Sequence, residues 1–140
     1  SSSSTPIRLA ISQRLFEMLL INLATNALKY NQSDHPSLHI TLETYKQNLI
    51  LSFADNGIGI ERSQRRKIFK KFYQVGHSNT RSAQGSGLGL YLVQNIVKAH
   101  HGTIKVTNKR KDKGSEFIIK LPLTSKRSMA KTTRKMMGLK

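Results

Sequence analysis

Apolar residues recur along the chain in two different periods, and the switches between them divide it into elements. Phe16, Leu20, Leu23, Ala24 and Ala27 fall on one face when plotted at about 100° per residue, which predicts a helix from about Gln13 to Tyr30 with Ser12 as its cap. Asn31–Ser37, with Asp34 and Pro36, breaks that helix. The period then changes to two. Leu38, Ile40 and Leu42 predict a half-buried strand, Tyr45–Asn48 a turn, and Leu49, Leu51 and Phe53 a returning strand that ends near Ala54. A further alternation over Ile7–Ile11 predicts a short edge strand ahead of the helix.

Beyond the first hairpin the pattern weakens and then resumes. Asp55–Ile60 reads as a glycine-punctuated turn and Glu61–Phe72 as a very basic helical stretch. Residues 74–86 have no apolar anchor beyond Val75 and read as a mobile loop. Leu92, Val93, Ile96 and Val97 predict a helix over Leu88–His101 that stops at Gly102. Thr103–Thr107 and Ser115–Leu121 follow as strands flanking a charged turn, with Pro122 closing the second. The order helix, hairpin, loop, helix, hairpin predicts a two-layer α/β sandwich, with helices on one face of a mixed, mostly antiparallel sheet.

Composition narrows the function classes. A length of 140 residues suits one domain. No apolar run reaches the ~18 residues of a membrane span, and the serine run Ser1–Thr5 lacks the apolar core of a signal peptide. The absence of cysteine excludes disulfides and thiolate metal sites. A formal charge of +17, from 24 Lys and Arg against 7 Asp and Glu, favours polyanionic partners. Much of it sits in the acid-free stretch 124–140, which reads as a solvated basic tail, with nucleic-acid binding as the rival.

Three constellations carry candidate chemistry. Asn22, Asn26 and Lys29 share a helix sector about 60° wide, apart from the core face. Carboxamide oxygens suit a hard cation and a lysine suits phosphate, although two asparagines on an exposed flank are an alternative. Asp55-Asn56-Gly57-Ile58-Gly59-Ile60 places a carboxylate at a strand end, where it could accept from an amino group, or could simply build an Asp/Asn/Gly turn. Gly85-Ser86-Gly87-Leu88-Gly89-Leu90 opens a helix, where backbone N–H groups favour phosphate. It is neither a dinucleotide fingerprint nor a P-loop.

Taken in order, these segments resemble the ATP-binding catalytic domain of sensor histidine kinases, within the gyrase, heat-shock-90 and mismatch-repair ATPase superfamily. Asn22–Tyr30 is similar to the family's N box, Asp55–Ile60 and Gly85–Leu90 to its two glycine boxes, Ile68–Tyr73 to its phenylalanine box, and Gly114-Ser115-Glu116-Phe117 to its closing element. The resemblance implies a domain over residues 7–123, preceded by a linker at 1–6, with an ATP lid at about 74–86 and the tail at 124–140.

It also implies roles. Asn26, helped by Asn22, would bind Mg²⁺, Lys29 a phosphate, and Tyr30 would lie near the base. Asp55 would hold the adenine amino group, Gly57, Ile58 and Gly59 would shape the base pocket together with Tyr73, and Gly85, Ser86, Gly87, Leu88 and Gly89 would cradle the phosphates. Where family members carry a lid arginine the chain has Gln74, which leaves Arg81 and Lys71 as candidates for the γ-phosphate. Hydrolysing relatives keep a glutamate where Asn22 stands, so the resemblance favours transfer to a histidine over hydrolysis. None of His35, His39, His77, His100 and His101 has the acceptor's sequence context, so the partner would be a separate histidine-bearing helical dimerisation domain, and beyond it a response regulator. The implied setting is cytoplasmic, with no membrane contact by this domain even if its parent is anchored, and nucleic acid is the disfavoured partner.

Overall fold

The computed structural model describes residues 9–29, 31–73, 88–108, 114–123 and Gly138. Helix α1 spans Gln13–Lys29. Ser12 caps it as its sequence predicts, its Oγ accepting from the backbone N–H of Leu15 at 3.2 Å. The hairpin β1 (Leu38–Tyr45) and β2 (Asn48–Asp55) follows, then helix α2 (Gly89–Ala99), β3 (Thr103–Thr107) and β4 (Glu116–Pro122).

The four strands form one sheet in the order β1-β2-β4-β3, and every pairing is antiparallel. Strand periodicity puts Leu49, Leu51 and Phe53 of β2 on one face, opposite Leu121, Ile119 and Phe117 of β4. That face receives Leu19 and Leu23 from α1 and Val93, Ile96 and Val97 from α2, so the core lies between one sheet face and two helices. The predicted two-layer sandwich is the observed one.

Four local expectations are corrected. Leu9–Ile11 forms no strand; Leu9 and Ile11 instead pack against the core from bent backbone, a better use of two apolar side chains than edge pairing. Glu61–Phe72 is not a helix but two short 3₁₀ turns, Arg62–Gln64 and Lys67–Phe69. It lacks an apolar stripe, and only Ile68 and Phe69 are buried; Phe69 meets Phe117 edge-on at 6.2 Å between ring centres. Strand β1 is not half-buried. Ile40 and Leu42 point to the helix side but remain 52% and 50% exposed, because β1 is an edge strand with a neighbour, β2, on one side alone.

The fourth correction concerns the end of α2. His101, not Gly102, takes the left-handed conformation there (φ 62°). Gly102 N–H donates to Val97 O at 2.9 Å and His101 N–H to Lys98 O at 3.1 Å, the paired bonds of a Schellman stop. Gly102 is required for another reason: a Cβ there would lie 2.4 Å from Lys120 O.

Candidate nucleotide site

The alternation that buries Leu49, Leu51 and Phe53 continues for one more step. Asp55 therefore faces the helix layer, and it is 7% exposed. Its Oδ1 accepts from Gly57 N–H at 2.8 Å and Ser115 N–H at 3.2 Å, and its Oδ2 accepts from Ser115 Oγ–H at 2.8 Å. Three bonds meet most of the cost of burying the carboxyl group. They use three of its roughly four acceptor positions, so one stays available to an incoming donor.

Two glycines allow the turn to close. Gly114 (φ 73°) donates its N–H to Gly57 O at 2.8 Å and comes so near that a Cβ would lie 2.2 Å from Asp55 O. Gly59 (φ 79°) passes Gly114 O, and a Cβ there would lie 3.2 Å from it. The next residue, Ile60, donates its N–H to Asn108 Oδ1 at 3.1 Å. Ile58 points outward at 49% exposure.

A second group of residues lies where the helices meet. Asn22 on α1 faces the first residue of α2, so that a Cβ on Gly89 would be 2.9 Å from Asn22 Oδ1. The Nδ2 of Asn22 donates to Met18 O at 2.7 Å, leaving Oδ1 as the available atom. Asn26 is half-buried one turn further on, and no hydrogen bond among the described residues claims its carboxamide. Lys29 ends the helix, and α2 starts after Leu88 without a side-chain cap. Tyr73 packs against the core. No cluster of three or more His, Cys, Asp or Glu suited to a metal occurs among the described residues, so a cation here would rely on carboxamide and phosphate oxygens.

Tyr30, Gly85, Ser86, Gly87, Arg81, the lid expectation at 74–86 and nearly all of the tail fall outside the described residues. Sequence reasoning gave no role to Gly114, Ser115 or Asn108. The sole signal was the resemblance of Gly114–Phe117 to a closing element; Asn108, on the chain's return from β3, gave none.

With this geometry in place, comparison with known proteins is informative. The family model described as "Histidine kinase-, DNA gyrase B-, and HSP90-like ATPase" matches residues 11–125. The chain is 38% identical over 107 residues to the sensor protein RprX of Bacteroides fragilis, covering 75% of this chain and 20% of RprX. It is 39% identical over 111 residues to the sensor protein CiaH of Streptococcus pneumoniae, covering 79% of this chain and 24% of CiaH. The chain thus spans about a fifth to a quarter of the length of these relatives. The solved catalytic domain of histidine kinase ThkA superposes with a TM-score of 0.67 at 28% identity, covering 81% of this chain and 71% of that one.

Proposed function

The chain belongs to the histidine kinase-, DNA gyrase B- and HSP90-like ATPase family, as a catalytic ATP-binding domain of the sensor-histidine-kinase type, and on that premise we propose that it binds Mg²⁺·ATP and passes the γ-phosphate to a histidine on a separate helical dimerisation domain. The fourth acceptor position of Asp55 takes the adenine amino group, beside a base pocket shaped by Gly57, Ile58 and Gly59 with Tyr73 and Tyr30 near it. Asn26 and Asn22 offer carboxamide oxygens to Mg²⁺, which would neutralise phosphate charge when bound. Lys29 meets a phosphate, and the segment Gly85–Gly89 lays the phosphates over the start of α2.

The observation that carries transfer over hydrolysis is the side chain at position 22. Its amide nitrogen is committed to Met18 O and its oxygen faces Gly89, and a carboxamide accepts no proton at neutral pH. Position 22 therefore offers water no base. An incoming imidazole nitrogen brings its own lone pair: it bonds to the γ-phosphorus as the bond to the ADP oxygen breaks, and ADP leaves. Positioning and charge neutralisation are what such a reaction needs from the protein.

In this reading residues 7–123 form the catalytic domain, 74–86 the lid, 1–6 a linker and 124–140 a basic tail, with a response regulator as the eventual phosphate acceptor in a cytoplasmic setting. No helix among the described residues is long and apolar enough to cross a membrane. The rival nucleic-acid reading would use the tail together with a basic helix over Glu61–Lys71, and two short turns stand in place of that helix.

The test supplies labelled Mg²⁺·ATP to the chain alone, and then with a histidine-bearing helical domain. Slow release of inorganic phosphate by the chain alone and an acid-labile, alkali-stable phosphohistidine on the added domain are expected. General-base assistance is commonly worth about 10²–10⁴ in rate. Brisk hydrolysis that survives Asn22→Ala would replace the kinase reading with an ATPase one.

A further inference from the structure

Asn56 stands between Asp55 and Gly57 in the first glycine-rich turn, is exposed, and takes no part in the hydrogen bonds around the Asp55 carboxylate. Yet three of the four hydrogen-bonding positions of its carboxamide are taken. Oδ1 accepts from Asn31 Nδ2 at 2.6 Å and from Ser37 N–H at 2.9 Å, and Nδ2 donates to His35 O at 2.9 Å. Its backbone N–H donates to Ser37 O at 3.4 Å. All four partners lie in the 31–37 connection, which leaves the C-terminal end of α1. That connection has few apolar anchors, and all of residues 32–37 are exposed. Asn31 in turn holds the start of the connection, accepting from Ser33 N–H at 2.9 Å and donating its own N–H to Leu28 O at 3.2 Å.

We infer that Asn56 is a positioning residue that clips the end of the asparagine-bearing helix to the turn carrying Asp55, and so sets the spacing between the phosphate half and the base half of the nucleotide site. This rests on the nucleotide reading above. Within the described residues the two halves are built separately, one where α1 meets α2 and the other from β2, Gly114 and Ser115. A nucleotide must satisfy both at once. A ligand that bridges two half-sites gains affinity only when their separation is held in advance; otherwise ordering them is charged against binding. A ligand of one half gains nothing from the clip.

That difference separates a positioning role from a merely structural one. Isothermal titration with Mg²⁺·ATP and with adenosine is performed on the parent chain, Asn56→Ala, Asn56→Asp and Asn31→Ala. Asn56→Ala is expected to weaken ATP by about tenfold, the scale of one or two lost hydrogen bonds, and adenosine by less than about twofold. Asn56→Asp keeps both acceptor bonds, loses only the donation to His35, and should recover most of the ATP affinity. Asn31→Ala removes one of the clip's bonds from the far side, together with the local bond from Ser33 N–H, and should cost ATP about threefold, which also serves if Asn56→Ala fails to fold. Equal weakening of ATP and adenosine, or no weakening of ATP in Asn31→Ala, would overturn the clip. A parent chain that takes no ATP overturns the nucleotide reading, and the clip with it.

Discussion

Replacing Gly114 by alanine tests the close approach on which the Asp55 turn depends. The backbone there has φ 73°, where an L-residue costs about 1–2 kcal/mol. Sterics add to this. The new Cβ would lie 2.2 Å from Asp55 O, and ordinary contact begins at 3.4 Å, so the two backbones must part by more than an ångström. The bonds that bridge them are Gly114 N–H to Gly57 O at 2.8 Å, Asp55 N–H to Ser115 O at 2.9 Å, and the two from Ser115 to the Asp55 carboxylate. Losing two of these costs roughly 2 kcal/mol, at about 1 kcal/mol each. The total of about 3–4 kcal/mol is a large share of the ~5–15 kcal/mol that holds a domain together. At roughly 3–5 °C per kcal/mol, Tm should fall by about 10–20 °C. Thermal melts with and without ATP provide the assay, and the ATP-induced rise should shrink as well, because Asp55, the proposed adenine acceptor, is displaced. Gly138→Ala is the control: at φ 72° it carries the conformational cost, but with nothing within 4 Å of an added Cβ it carries no steric one, so its fall in Tm should be clearly smaller and its ATP response unchanged. A Gly114→Ala protein that melts with the parent and keeps its ATP response would refute the reasoning.

Three further outcomes are expected. Asn26→Ala should weaken ATP binding mainly when Mg²⁺ is present, since an oxygen ligand is lost; titrations with and without the metal that show equal loss would remove the ligand role. Ser115→Ala takes the hydroxyl donor from Asp55 Oδ2 and should cost about 1–2 kcal/mol of stability in denaturant unfolding, together with discrimination of ATP from GTP in a competition assay. Ser12→Ala removes the α1 cap and should cost about 1 kcal/mol in the same unfolding assay without altering nucleotide selectivity, because the cap lies at the far end of the helix from Asn26 and Lys29.

By itself the order of residues determined the two-layer architecture, because burial on one face imposes periods that the chain displays openly: 3.6 around Leu23 and Ala27, two along Leu49, Leu51 and Phe53. It likewise carried the Ser12 cap, a local hydrogen bond between neighbours in sequence. The candidate residues Asn22, Asn26, Lys29 and Asp55 were legible as motifs, since each motif is a short run whose wording survives without knowledge of its surroundings. What lies around them was not. That Asp55 is held by Ser115, sixty positions away in the chain, depends on β2 and β4 becoming neighbours. That Asn22 faces Gly89 depends on how α1 and α2 lean together. Pattern reasoning also misjudged Ile40 and Leu42, whose alternation is that of a buried strand; exposure was decided by the sheet order, which puts β1 at an edge. Periodicity records which face a side chain points to, whereas what covers that face is a property of elements distant in sequence, and only the folded chain brings them there.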